Sequence, residues 1–183
     1  MYLKRFIEAD KRTKKFGLIS PDLLIDTTTP LFSTKYSNDI PSLLNECIPN
    51  YTTEDLMGQC INVSYKMQLF VEKYFNTDVY LTFGYIMLGE KEQFRFTESD
   101  IEKMLKGESK VRLNIHTWLT FPNMEILDLT YITTYVFAND IEAPVNPFLF
   151  KPANSFNGME YYPMLLGKDF LIKSGIMVEF EQF

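Results

Sequence analysis

Histidine and cysteine are nearly absent from this chain, which holds one His and two Cys in 183 residues. A Cys/His zinc site needs three or four ligands at close spacing. Cys47, Cys60 and His116 do not form such a cluster, so no metal and no other cofactor is expected. Two cysteines are too few for a disulfide framework, and a chain of this length does not need one. The expectation is free thiols. No Gly-x-Gly-x-x-Gly or Walker loop is present, which removes the motif basis for nucleotide binding. No Gly-x-Ser-x-Gly elbow is present either, so a serine hydrolase has no nucleophile motif. No apolar run approaches the ~20 residues of a membrane span, and no apolar h-region follows the basic residues near Met1. A cytoplasmic protein that does not engage a membrane is expected.

Positive charge is also in deficit, with 18 Lys+Arg against 24 Asp+Glu and a net charge of −6. That balance argues against a nucleic-acid partner, whose phosphates require clustered Lys and Arg. The basic cluster from Lys11 to Lys15 is short and reads as a solvated charge run. Apolar residues reach 46% and charged residues 23%, a globular composition able to close a core. No repeat or Gly/Ser-rich linker divides the chain, so residues 1–183 are expected to form a single domain.

Residues 1–50 read as an irregular, partly helical N-terminal part. Pro21, Pro30, Pro41 and Pro49 interrupt it, and a short helix is expected over Ser42–Cys47. From Cys60 to Phe75, Val63, Met67, Phe70, Val71 and Tyr74 recur at helical spacing and predict a long helix, broken by Asn76-Thr77-Asp78. Val79–Leu88 is β-branched, aromatic and apolar, which predicts a buried strand. Thr97 with Asp100 is a capping-box signal for a helix over Glu98–Lys106, and Gly107 suits its stop. Lys110–Phe121 and Met124–Phe137 read as a hairpin joined across Pro122-Asn123. Residues 138–163 read as a long loop, a candidate substrate-covering segment, and a last strand is expected near Phe170–Phe180. Helices followed by a mostly antiparallel sheet are α+β architecture.

Within the stretch 53–137, three residues stand out. Cys60 follows Gly58-Gln59 at the expected start of the long helix. A thiol there meets the positive end of the helix dipole, which favours the thiolate. The backbone N–H of Cys60 is a natural oxyanion donor, and Gly58 permits close approach of the backbone. Burial as a small hydrophobe is the commoner fate of a free cysteine. His116 and Asp128 lie on the two strands of the hairpin. Taking Phe121-Pro122-Asn123 as the loop places them directly opposite one another on one face, with Trp118 beside them. A loop differing by one residue would separate them to opposite faces. In the favourable register the carboxylate orients the imidazole, leaving the other ring nitrogen for a nucleophile's proton. A structural histidine with a cross-strand partner is the alternative. Glu125 with Asp128 suggests glycoside chemistry only weakly, since a strand would turn them to opposite faces. Tyr161-Tyr162 and Phe148 with Phe150 read as core, or as lining for a binding surface.

The ordered set Gly58-Gln59-Cys60, His116-Thr117-Trp118 and Asp128-Leu129-Thr130 resembles the transglutaminase-like branch of the papain-like superfamily. That branch includes transglutaminases, arylamine N-acetyltransferases, peptide N-glycanases and bacterial cysteine peptidases. The similarity runs from about Thr53 to Tyr135. It implies a papain-like fold with the cysteine on a long helix packed on the sheet. It also implies a catalytic triad of Cys60, His116 and Asp128, with Gly58, Gln59 and Trp118 forming the oxyanion site and its wall. Ile61 stands where the family has Trp, which removes part of the usual wall.

Two functions therefore compete. The first is a cysteine-dependent acyl-transfer enzyme, acting as peptidase, amidase, deamidase or transglutaminase-type transferase. It would act on a peptide, a protein side-chain amide or a small acyl substrate through a thioester. The second is a non-catalytic protein-binding, inhibitor or immunity module, whose acidic, aromatic-rich surface would meet a protein partner.

Overall fold

A computed structural model describes residues 1–32, 34–108, 114–142, 144 and 147–177. The fold is α+β, with helices packed around a curled antiparallel sheet. In chain order come helices α1 (Tyr2–Lys15) and α2 (Thr34–Cys47), a 3₁₀ turn (Glu54–Leu56) and α3 (Cys60–Phe75). Strands β1 (Tyr80–Leu88) and β2 (Lys91–Gln93) precede α4 (Glu98–Leu105). Then follow β3 (His116–Thr120), β4 (Glu125–Asp128), α5 (Tyr131–Ala138), β5 (Leu149–Pro152), β6 (Met159–Leu166) and α6 (Asp169–Lys173).

Strand β1 is the hub of the sheet. Its first half pairs with β3 and its last three residues with β2, while β6 runs along Thr82–Leu88. Outward from β3 lie β4 and then β5. Alternation along the strands divides the core between the two sheet faces. Leu81, Phe83, Leu119 and Leu127 pack with Val63, Met67 and Val71 of α3. Ile86, Trp118, Ile126, Tyr161 and Leu166 pack with Tyr2, Phe6 and Ala9 of α1.

The α3 boundaries agree with the periodicity, and Asn76 ends the helix in the left-handed conformation. Its buried stripe is narrower than expected, because Phe70 and Tyr74 remain more than one-third exposed. The Thr97–Asp100 capping box of α4 forms in both directions. Several other expectations need correction. Helix α2 is longer than Ser42–Cys47 and runs through Pro41, with Ile40, Leu43 and Leu44 buried along it. Tertiary burial there outweighs the helix-breaking tendency of proline. Residues 131–137, expected to extend a strand, lie in α5. The segment 138–163 is not a continuous loop, since β5 and the first half of β6 lie in it. Residues 170–173, expected to begin a last strand, lie in α6. The start of the strand expected from Lys110 and the end of the one expected up to Phe180 lie outside the described residues.

The hairpin register also differs. Leu119 pairs with Leu127 and Thr120 with Ile126, so the turn is Pro122-Asn123-Met124. Moving the turn by one residue shifts the pairing by two, which preserves the face of every side chain. His116 and Asp128 therefore share a face but meet on a diagonal.

Gly84 is the tightest point of this framework. It pairs with His116 across to β3 and with Pro163 across to β6, at a bulge between Phe83 and Gly84. A Cβ at this position would overlap the Tyr162 carbonyl and lie 2.6 Å from Trp118 Cη2. Neither backbone nor buried indole can easily yield. Gly84→Ala is expected to destabilise the protein by about 1–3 kcal/mol, measured by urea denaturation. A cost below about 0.5 kcal/mol, the level of an ordinary surface substitution, would contradict this packing.

Candidate functional site

The site forms where the N-terminus of α3 meets the start of β3. Gly58 takes φ +68°, a conformation suited to glycine, and turns the chain into α3. Its N–H donates to Thr134 Oγ1 of α5 at 3.2 Å, which braces the turn. Gln59 is the N-cap residue, and its exposed side chain accepts from Asn62 Nδ2 at 2.7 Å. Cys60 opens the helix, so its backbone N–H lacks an intrahelical partner. The half-buried thiol donates to the Ile115 carbonyl at 3.5 Å. Ser64 Oγ, one turn on, donates to the Thr117 carbonyl at 3.1 Å and fixes α3 against β3.

His116 is 1% exposed and Asp128 fully buried. The ring Nε2 meets Asp128 Oδ2 at 2.6 Å, leaving Nδ1 as the nitrogen not taken by the carboxylate. Asp128 Oδ2 also accepts from the Tyr161 hydroxyl at 2.8 Å. Its Oδ1 accepts the backbone N–H groups of Thr130 at 3.1 Å and Tyr131 at 3.0 Å. The carboxylate thus starts α5 while it holds the imidazole, a side-chain-to-backbone pattern typical of Asp before a helix.

Burial alone would lower the His116 pKa. The charge and hydrogen bond of Asp128 reverse that, and the adjacent Cys60 adds to the rise, which carries it up to about 10. For Asp128 burial works to raise the pKa. The His116 charge and hydrogen bond, the Thr130 N–H and the Tyr161 hydroxyl overcome it and hold the carboxyl below its ordinary range. Both directions describe one buried imidazolium–carboxylate pair.

Aromatic rings enclose the imidazole. Phe94 stacks on it at 5.1 Å, Trp118 at 5.9 Å, and Tyr131 meets it edge-on at 5.8 Å. Trp118 is wholly buried, and its Nε1 donates to Tyr2 Oη at 2.9 Å. Tyr2 Oη and Thr120 Oγ1 share a further bond of 2.6 Å, so α1 fixes the indole under the ring. Phe94 has φ +61°, a backbone state rare for a bulky residue.

A cleft of about 460 Å³ opens onto this group, lined by Gly58, Cys60, Phe94, Asn114, Ile115, His116 and Thr134. The structure thus brings Gly58, Cys60 and His116 to one cleft, with Asp128 behind the ring and Trp118 stacked against it. Gln59 and Trp118 are not among its lining residues. A larger recess of about 570 Å³ lies between α2 and the second half of α3, and neither histidine nor cysteine lines it. Glu125, the other carboxylate considered, is buried and accepts the N–H groups of Leu31 and Phe32, which is a structural task. None of the protein-family models, curated proteins or solved structures compared with this chain matches it.

Sequence reasoning named Tyr161 only as core or surface lining, without its bond to Asp128, and missed Phe94 and Thr134. Tyr161 fell in the segment read as loop, and Thr134 in the segment read as strand. A signal for α5 was present in Asp128-Leu-Thr, where a carboxylate precedes free amides.

The pair links stability to pH. The His116 contribution is fully present below its ordinary value of 6.5 and is lost as pH rises through about 10. The Asp128 contribution is present above its ordinary value of 3.8 and is lost as pH falls through its depressed value. Unfolding free energy measured by urea across pH should therefore decline on the alkaline side of 6.5. Asp128→Asn should flatten that decline. Equal slopes in the two proteins would contradict the buried ion pair.

Proposed function

We propose that this protein is a cysteine-dependent acyl-transfer enzyme of papain-like, transglutaminase-like type, with Cys60 as nucleophile. The observation that carries the reading is the thiol at a helix N-terminus beside an imidazole already held by a buried carboxylate. Once the Cys60 thiol has released its proton to water, the sulfur attacks an amide, ester or thioester carbonyl carbon as a thiolate beside the His116 imidazolium. A C–S bond forms, and the carbonyl electron pair moves to oxygen, facing the Cys60 N–H. As the oxyanion collapses, the bond to the leaving group breaks, and the His116 Nδ1 proton goes to that group. Water or an amine then attacks the thioester and gives its proton to His116, and the sulfur leaves as thiolate. Asp128 stays ionised throughout and keeps the ring oriented.

Phe94 supports this reading by supplying an aromatic surface stacked on the imidazole.

The test is labelling of the intact protein with acyl electrophiles and iodoacetamide, located by peptide mass spectrometry. Burial pushes the Cys47 thiol pKa up, so Cys47 serves as an internal slow reference. Cys60 is expected to react at least ~10-fold faster than Cys47 at pH 6–7, and His116→Ala to remove most of that advantage. Sluggish, equal labelling of both cysteines, unchanged by His116→Ala, would leave a non-catalytic binding module as the better account.

A further inference from the structure

We propose that Tyr161 is a positioning residue of the site, whose hydroxyl keeps the buried Asp128 carboxylate ionised and aligned and lowers the pH at which the His116–Asp128 pair gives up its shared proton. The proposal rests on the acyl-transfer reading for its catalytic meaning, although its physical content can be measured without any substrate.

A desolvated imidazolium–carboxylate pair has a competing neutral arrangement in which the proton passes to the carboxylate. Burial favours that arrangement, because it removes two charges from a medium that solvates them poorly. Such a transfer would leave His116 neutral with Asp128 protonated, and the sulfur would lose its cationic neighbour. What opposes the transfer is the number of donors fixed on the carboxylate. Asp128 accepts two backbone amides on Oδ1, and the His116 ring and the Tyr161 hydroxyl on Oδ2. Three of these four donors are independent of the histidine. Two belong to the start of α5 and cannot be altered by side-chain substitution. Tyr161 supplies the third.

The local structure suits that task. Tyr161 pairs with Ile86 in the sheet and is 1% exposed. Its ring packs edge-on to Trp118 at 4.9 Å and against Phe156 at 5.4 Å. The phenol therefore has little freedom to turn away from Asp128. Trp118 and Tyr161 thus hold opposite members of the pair, one stacked on the ring and the other bonded to the carboxylate.

A single histidine makes the test unambiguous. The pH midpoint of the His116 ring signals would be followed by NMR in the full-length Cys60→Ala protein, with and without Tyr161→Phe. Removing a donor from the carboxylate raises the proton affinity of the pair, so the midpoint should move upward by about 0.5 to 1 in pH. An unchanged or lowered midpoint in a folded Tyr161→Phe protein would overturn the proposal. If that variant does not fold, the Tyr161 hydroxyl proton of the parent protein serves instead. It should be protected from solvent exchange and should shift as His116 titrates, and a freely exchanging hydroxyl would overturn the proposal. With Cys60 present, Tyr161→Phe should also shift the pH dependence of Cys60 alkylation. A parent Cys60 that is no more reactive than Cys47 would sink the acyl-transfer reading and leave the His116 midpoint result standing on its own.

Discussion

The contact between His116 and Asp128 organises this molecule more than any other. Two ionisable groups removed from water are costly unless each has partners, and an unpaired buried charge costs several kcal/mol. The fold meets that demand from four directions. Strand β3 brings the imidazole, and β4 brings the carboxylate. The first amides of α5 cover Oδ1, and β6 adds the Tyr161 hydroxyl to Oδ2. Helix α1 contributes indirectly, through the Tyr2–Trp118 bond that sets the indole against the ring. Elements from both ends of the chain thus converge on one hydrogen bond of 2.6 Å.

The same geometry explains why the sulfur stands where it does. With Nε2 committed to Asp128, the ring plane is fixed by the carboxylate and by the stacked Phe94 and Trp118. Helix α3 is locked to β3 by Ser64, which sets the height of its first residue. The turn before Cys60 is tied to Thr134, so α5 braces both that turn and the carboxylate. A shift of α5 would move both. We read the short helix as the common support of the two halves of the site.

Long-period patterns in the sequence were informative. The apolar spacing from Val63 to Val71 located α3, and the Thr97–Asp100 pair located α4. The shared face of His116 and Asp128 survived a wrong turn assignment, because strand parity depends on an even shift and the turn moved by one residue. What was hidden depended on partners distant in sequence. Tyr131–Ala138 is β-branched and aromatic, so propensity alone reads it as strand. Asp128 overrides that by capping the amides that follow it. Strand β6 was hidden because Pro163 lacks an N–H, and it is tolerated only at the bulge opposite Gly84. Phe94 carried no signal at all, since its place over the ring depends on a turn with positive φ.

The central claim is that His116 is an imidazolium, held by Asp128, at the pH where the protein works. The direct measurement is the nitrogen NMR spectrum of the one histidine in the unmodified protein at neutral pH, with couplings that show which ring nitrogens bear protons. The account predicts protons on both nitrogens. A neutral ring, protonated on one nitrogen only at that pH, would contradict it.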